Sequence, residues 1–182
     1  MNQRRSFLKA SLVLASASGL PMIGKASTAP SALVPAERKL SLYNTHTGES
    51  VNRVFWAEGQ FVPDALQDIN KVLRDHRNNA IAPIDPKLLL LLDQVNGKMG
   101  SANTLHIISG YRSPESNAML NANTTGVAKH SMHMDGKAID IRMPGRNLAQ
   151  LRKAAMSLRG GGVGYYPDSQ FVHMDTGRLR SW

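Results

Sequence analysis

Polar and apolar residues alternate in two stretches between residues 38 and 56, and this pattern predicts a β-hairpin. The pattern runs through residues 38–44, breaks at the turn-forming stretch 45–50 and resumes through residues 51–56. Side chains of a strand point alternately to opposite faces, so each half of the pattern fits a strand with one buried face. His46 lies in the turn, where an exposed polar side chain is ordinary, and we do not expect it to bind a ligand.

Helical spacing replaces this alternation in the next section of the chain. Apolar residues recur every three or four positions from Leu66 to Leu73, after a start at Pro63. This spacing predicts an amphipathic helix. The charged residues around Asp75 are expected on its exposed side.

A second helix is predicted from the N-cap Asp85, which a proline follows, to about Val95, before Asn96-Gly97. Its five consecutive leucines, residues 88–92, make it apolar on nearly every side. Helices of that kind are buried. We therefore expect this helix to form the centre of the core.

The second half of the chain alternates between short strands and helices. The patterns predict strands at residues 105–109, 137–143, 163–166 and 171–175, the last two as a hairpin, a short helix after Pro114, a loop at 121–131 and a helix at 147–158. A separate hairpin followed by strands with interspersed helices is typical of the α+β class. We predict an α+β domain with a small antiparallel sheet packed against helices.

The N-terminal residues have the pattern of a twin-arginine export signal. Arg4 and Arg5 precede a modestly apolar run, residues 10–23, and a segment of small residues, 24–29. Serine, glycine and proline interrupt the run, which is too short and too weakly apolar for a stable membrane span. We expect a periplasmic protein, exported by the twin-arginine pathway and not inserted in the membrane afterwards.

These features divide the chain into three segments: an export signal at residues 1–30, a linker at residues 31–37 and a folded domain at residues 38–182.

Four basic residues of the signal account for part of the formal net charge of +9, so the rest of the chain carries +5. Such a surface suits an anionic partner, and ordinary solubility explains it equally well. No recognition motif accompanies the charge, so we do not expect nucleic acid as a partner.

The chain has no cysteine, which excludes disulfides and thiolate metal ligands. A metal must therefore bind to His, Asp or Glu. His133 and Asp140 are seven residues apart around the turn at Gly136, and His173 falls in a neighbouring predicted strand. Two histidines and a carboxylate, with a fourth position left open, are a typical ligand set of hydrolytic zinc sites. By spacing alone, a structural role for His173 remains open.

The residues around His133, Asp140 and His173 favour a zinc site over a structural role for His173. The pattern Ser131-x-His133-x-x-Gly136-x-Ala138-x-Asp140 resembles the zinc signature of the LAS-type peptidases, which include D-Ala-D-Ala carboxypeptidases. Residues 109–113 resemble the arginine motif of that family, and residues 161–167 with 171–177 are similar to its murein endopeptidase K (YcbK-like) branch.

The resemblance implies a hedgehog/D-Ala-D-Ala-peptidase-like fold and a zinc metalloendopeptidase acting on peptidoglycan stem peptides. The bonds cut would be 3-3 cross-links, which join one meso-diaminopimelate to another. The zinc ligands it implies are His133, Asp140 and His173.

The chemistry of peptide hydrolysis suggests roles for three further residues. Arg112, where a strand gives way to a turn, is our candidate for stabilising the oxyanion, with a carboxylate clamp on the substrate as the alternative. Ser131 and Tyr166 are candidates for substrate binding.

The general base is not evident, because relatives carry a Glu, Asp or His two or three residues before the last zinc histidine and this chain has Phe171 and Gln170 there. We rank Asp175 first, His130 second and Asp168 third. An equal alternative for Asp175 is a carboxylate that orients His173.

Two other functions compete with the endopeptidase. A D,D- or L,D-carboxypeptidase would use the same zinc site, since the walls of the cleft decide between internal and terminal bonds. A non-catalytic peptidoglycan-binding module would keep the zinc scaffold without a base. The absent carboxylate before His173 favours the module, whereas Arg112 and Asp175 favour the enzyme.

Overall fold

The computed structural model describes residues 37–100, 103–124 and 127–182. The predicted export signal and nearly all of the predicted linker lie outside these residues. The first strand begins at Glu37, the last residue assigned to the linker. Within the described residues, no helix has the length and the apolar run needed to cross a bilayer.

The described chain contains eight strands and four α-helices. In order they are β1 (Glu37–Asn44), β2 (Ser50–Ala57), β3 (Gln60–Phe61), α1 (Pro63–Val72), α2 (Pro86–Lys98), β4 (Leu105–Ser109), α3 (Pro114–Asn123), β5 (Ala138–Arg142), α4 (Leu148–Leu158), β6 (Gly162–Tyr166), β7 (Phe171–Asp175) and β8 (Arg180–Ser181). A 3₁₀ helix, Met132–Asp135, precedes β5. The predicted α+β class is confirmed.

All eight strands form one sheet in the order β3-β2-β1-β4-β5-β7-β6-β8. Most neighbours are antiparallel, but β1 pairs with β4 and β6 with β8 in parallel. Parallel neighbours need a long crossover, and the chain between β1 and β4, which includes α1 and α2, supplies one. The sheet is therefore larger than expected and only mostly antiparallel.

The core lies on one face of this sheet. Alternate residues of the central strands are fully buried, among them Leu40, Leu42, Leu105, Ile107, Ile139, Ile141 and Val172. Helices α1, α2 and α4 contact the strands and complete the core on this side. The intervening residues of the same strands point to the opposite face, which we call the open face.

The two predicted N-terminal helices are confirmed, with two errors. Helix α2 does not end before Asn96-Gly97 but continues to Lys98. Asp85 caps α2, its side chain accepting a hydrogen bond from the Lys87 backbone N–H at 2.9 Å. The expected exposure of Asp75 is wrong, because this side chain is buried. Its carboxylate accepts hydrogen bonds from the backbone N–H groups of Arg77 and Ser113, at 3.0 and 2.9 Å, which repay its burial.

Candidate metal centre

The 3₁₀ helix positions His133 at the edge of the open face. Ser131 caps this helix, its Oγ accepting a hydrogen bond from the His133 backbone N–H at 3.4 Å. The helix ends at Gly136, whose φ of 66° lies in the left-handed region that glycine adopts without strain. The chain then turns directly into β5, which carries Asp140.

Gly136 has a second reason to be glycine. A Cβ at this position would collide with the backbone carbonyl of Pro83. The Gly136 carbonyl in turn accepts a hydrogen bond from the Asp85 backbone N–H at 2.9 Å. The turn before β5 is thereby fixed to the start of α2.

Asp140 and His173 are direct partners in the antiparallel pairing of β5 with β7. Directly paired residues of neighbouring strands point to the same face, so both side chains emerge together on the open face. Asp140 Oδ1 lies 2.8 Å from His173 Nδ1, and Asp140 Oδ2 lies 3.4 Å from His133 Nε2. One ligand atom from each of the three residues lies within 4.8 Å of the others.

Each imidazole directs one nitrogen towards the other ligand atoms of the cluster, and its second nitrogen contacts an oxygen atom of the protein. His133 Nδ1 lies 2.8 Å from the Gly110 carbonyl, to which it donates. His173 Nε2 lies 3.1 Å from Asp175 Oδ2. Metal-binding histidines characteristically donate their second N–H to a carbonyl or carboxylate. Two oriented histidines and a carboxylate, all buried, fit a zinc ion.

Asp175 lies on the far side of the His173 ring from Asp140 and is only 1% exposed. Its carboxylate accepts hydrogen bonds from the backbone N–H groups of Gly162 and Gly177, at 3.0 and 2.8 Å. Arg180 donates to both oxygens, at 2.6 and 3.2 Å. Its oxygens are thus engaged by donors that hold it against the imidazole.

Electrostatics within the cluster favour ionised carboxylates. Burial alone raises the pKa of Asp140, but the two imidazoles beside it outweigh burial and hold that pKa well below its usual range. Burial also raises the pKa of Asp175. His173, the two backbone N–H groups and Arg180 outweigh burial and hold that pKa low. For His173, burial lowers the pKa, and the two carboxylates beside it produce a net rise.

Arg112 lies next to the cluster. Its backbone N–H donates to the His133 carbonyl at 3.2 Å, and one guanidinium nitrogen lies 3.4 Å from Asn117 Oδ1. Its Nε is buried without a hydrogen-bond partner among the described residues. Burial lowers the pKa of Arg112, and the nearby Asp140 carboxylate opposes that shift.

Tyr166 lies on the same face as His173 and is held by the last residue. The indole Nε1–H of Trp182 donates to the Tyr166 hydroxyl at 2.7 Å. The indole also lies 5.2 Å from the His173 ring and against Gly164, where an added Cβ would be 2.7 Å from it. Because indole is only a donor, the Tyr166 hydroxyl accepts here and keeps its own proton available.

The remaining predicted site residues are more peripheral. Ser131 is half-buried, and its hydroxyl is used as the helix cap described above. His130 is exposed and has no hydrogen-bond partner among the described side chains and backbone groups. Asp168 is exposed in the turn between β6 and β7. None of the three is part of the buried His133, Asp140 and His173 cluster.

Sequence reasoning missed Gly110, Arg180 and Trp182. A signal for Trp182 was present in β6, where Gly162 and Gly164 alternate on the open face. Glycines in a strand interior often mark the close approach of another group. Here Asp175 and Arg180 approach Gly162, and the indole approaches Gly164.

Comparisons with known proteins agree with this architecture. A family model described as "Peptidoglycan L,D-endopeptidase MepK" matches residues 32–182. The chain is 45% identical over 148 residues to the peptidoglycan L,D-endopeptidase MepK of Escherichia coli (strain K12), and the alignment covers 81% of each protein. It is 41% identical over 149 residues to the probable peptidoglycan L,D-endopeptidase MepK of Haemophilus influenzae, covering 81% of this chain and 80% of that protein.

These matches confirm the resemblance to murein endopeptidase K and, with it, the D-Ala-D-Ala-peptidase-like fold. The family model extends over the whole described domain, including every residue of the cluster. The chain therefore belongs to the peptidoglycan L,D-endopeptidase MepK family.

Proposed function

We propose that this protein is a zinc-dependent endopeptidase that hydrolyses peptide cross-links of peptidoglycan. The observation that carries the proposal is the cluster of His133, Asp140 and His173, with both imidazoles oriented through their second nitrogen. The names of the related proteins support the substrate.

Zinc at this cluster would polarise the scissile carbonyl and lower the pKa of a water molecule. The surrounding side chains bind and orient the peptide. Arg112 supplies a fixed cation for the negative charge that develops on the carbonyl oxygen. Tyr166 offers its hydroxyl proton to the peptide.

We assign Asp175 to the orientation of His173 rather than to proton transfer. Its carboxylate is buried and engaged by two backbone N–H groups, Arg180 and His173. A general base needs free access to the proton that it takes. Of the two remaining candidates, both exposed, His130 lies three residues before the proposed zinc ligand His133, whereas Asp168 lies in the turn between β6 and β7. We therefore propose His130 as the base.

The proposed bond is the 3-3 cross-link between two meso-diaminopimelate residues. Such a bridge joins the L centre of one residue to the D centre of the other. A 4-3 bridge, from D-Ala to diaminopimelate, joins two D centres instead. The L,D designation in the relatives' names supports the 3-3 bond as the substrate.

Action on peptidoglycan requires export, and the Arg-Arg pair at residues 4–5 supports the twin-arginine route to the periplasm. Replacing both arginines by lysine should leave the precursor in the cytoplasm, measured by cell fractionation. Continued export of the double variant would contradict the assignment of the signal.

Cross-linked muropeptides test the function directly. Purified protein, with zinc or with a chelator, is incubated with dimers that contain 3-3 or 4-3 bridges, and the products are identified by mass. Chelator-sensitive conversion of 3-3 dimers to monomers is expected. Intact bridges with shortened stem ends would indicate a carboxypeptidase, and bound zinc without any product would indicate the binding module.

A further inference from the structure

The charge of the chain is one-sided around helix α4. Between residues 141 and 167 the basic residues are Arg142, Arg146, Arg152, Lys153 and Arg159. All 13 acidic residues of the chain lie outside this stretch. Helix α4 and the loop before it make up most of the stretch, so positive charge is concentrated there.

Helix α4 has an exposed side opposite to the core. Its residues Leu151 and Ala155 are buried, whereas Lys153 and Met156 are exposed, as the spacing of a helix allows. Two grooves, of about 430 and 260 Å³, flank the exposed side. We call this region the α4 surface, and it comprises Lys98, Arg146, Lys153, Met156, Arg159 and Leu179.

The α4 surface carries four basic side chains that no carboxylate neutralises among the described residues. Lys98, from the end of α2, lines the first groove with Arg146 and Lys153, and Arg159 lines the second. All four are exposed, and none takes part in an ion pair of the described residues. Within those residues no acidic side chain lines either groove. Four positive charges are thus available to an anionic partner.

Two large apolar side chains are exposed among these charges. Met156 is 42% exposed, and Leu179, in the loop between β7 and β8, is 54% exposed. Both line the second groove. At a bilayer surface, basic side chains attract anionic headgroups while apolar side chains enter the boundary with the acyl chains. An anionic polymer offers no apolar phase, so the combination fits a membrane better.

We propose that the α4 surface binds peripherally to membranes that contain anionic phospholipid. The four basic side chains stay among the headgroups, and Met156 and Leu179 reach only the interface. Each basic residue near such a membrane contributes about fivefold to the affinity. Salt screens these charges, so binding weakens as the ionic strength rises.

This contact would also orient the metal centre. Helix α4 packs on the core side of β6 and β7, whereas His173 and Asp140 project from the open face. With α4 on the membrane, the sheet and one helix layer, about 10–12 Å thick, separate the cluster from the lipid. The cluster then opens away from the membrane. The use of this orientation in cutting the cell wall rests on the proposed function, but the membrane contact does not.

Co-sedimentation of the full-length protein with lipid vesicles tests the α4 surface. Vesicles of phosphatidylglycerol and phosphatidylcholine in equal parts are compared with vesicles of phosphatidylcholine alone, each at low and at physiological salt. We expect binding to the anionic vesicles, weaker at the higher salt, and little binding to the neutral ones. Absent binding to the anionic vesicles, or equal binding to both, would overturn the proposal.

A double variant isolates the contribution of charge. Arg146→Gln with Lys153→Gln removes two charges from the α4 surface, so the affinity for anionic vesicles should fall about 30-fold. Lys39→Gln with Lys87→Gln is the matched control, because these exposed lysines line neither groove. Both variants keep residues 1–30, so binding by the predicted export signal is common to them. Equal losses would show that net charge alone decides binding and would overturn the proposal.

A second variant distinguishes a membrane from an anionic polymer. Leu179→Ala should weaken binding to anionic vesicles about three- to tenfold without changing its salt dependence. Ile81→Ala is the control, because Ile81 is 59% exposed and lines neither groove. Tighter binding to purified peptidoglycan sacculi than to vesicles, unaffected by Leu179→Ala, would assign the surface to the polymer and overturn the proposal.

Cleavage of soluble muropeptides separates this proposal from the proposed function. The Arg146→Gln, Lys153→Gln variant should cleave them at the normal rate, because neither residue belongs to the metal centre. Vesicle binding without any cleavage by the unaltered protein would overturn the proposed function alone. Cleavage without vesicle binding would overturn the membrane contact alone.

Discussion

Asp175 contacts His173, a proposed zinc ligand, without belonging to the cluster of His133, Asp140 and His173, and this determines what its substitution should do. Asp175→Asn keeps the size of the side chain but loses the charge that holds His173 and Arg180. Zinc affinity should fall about 10–100-fold, as measured by competition with a chromophoric chelator. Asp168→Asn, in the exposed turn, is the control and should bind zinc normally. Normal zinc affinity with lost turnover in Asp175→Asn would return the base role to Asp175.

Trp182 should act on substrate binding through Tyr166. Trp182→Phe removes the Nε1–H donor and keeps an aromatic ring beside His173. One hydrogen bond contributes about 0.5–1.5 kcal/mol, so KM for a cross-linked muropeptide should rise about two- to tenfold, with bound zinc unchanged. The same substitution in a Tyr166→Phe background should change KM no further. A full effect in that background would show that the indole acts on the substrate independently of Tyr166.

Single residues were predictable where their chemistry is distinctive. His133, Asp140 and His173, which the structure brings together, could be selected from the sequence because few residue types are able to bind zinc and the surrounding motif is specific. Gly110 could not be selected in this way, because it contributes a backbone carbonyl that every residue possesses. The buried state of Asp75 was also hidden, since its partners are backbone groups that only the fold brings near.

The turn between the 3₁₀ helix and β5 allows a prediction about an element junction. Gly136→Ala places a Cβ against the Pro83 carbonyl, in addition to the strain of a positive φ. Gly145 is a matched control, because its φ is 72° and an added Cβ meets nothing within 4 Å. We expect Gly145→Ala to lower the free energy of unfolding by about 1–2 kcal/mol and Gly136→Ala to lower it by at least about 2 kcal/mol more.

Urea unfolding of both variants measures this difference. Equal losses of stability would mean that the loop around Pro83 moves away without cost, so that the turn is not fixed to α2. A larger loss in Gly136→Ala, accompanied by weaker zinc binding, would link this junction to the position of His133.

Elements with strong periodicity were predictable, as were the hairpins β1–β2 and β6–β7, but the order of the strands in the sheet was not. The caps and spacing identified α1, α2 and α4, and alternation identified β1, β2, β6 and β7. The two-residue strands β3 and β8 are too short to carry a pattern. The parallel pairing of β1 with β4 depends on contacts between residues about 60 positions apart, which local periodicity does not contain.

At the scale of the whole molecule, zinc bound at the proposed metal centre would join segments that are distant in the chain and should stabilise the fold. Binding to the folded state alone adds about 2.7 kcal/mol at a free zinc concentration of 100 Kd. For a domain of this size the melting temperature should rise by roughly 5–10 °C, measured by calorimetry with and without zinc. His133→Ala should show no such rise, and an equal rise would place the zinc elsewhere.

The two outermost strands of the sheet, β3 and β8, are only two residues long. An exposed strand edge is a template on which another chain can add its own strand, and long flat edges promote aggregation. The outermost strand β3, however, pairs with only Trp56 and Ala57 of the eight residues of β2. The earlier residues of β2 are therefore the place in this sheet where another chain would have the longest free edge on which to add a strand.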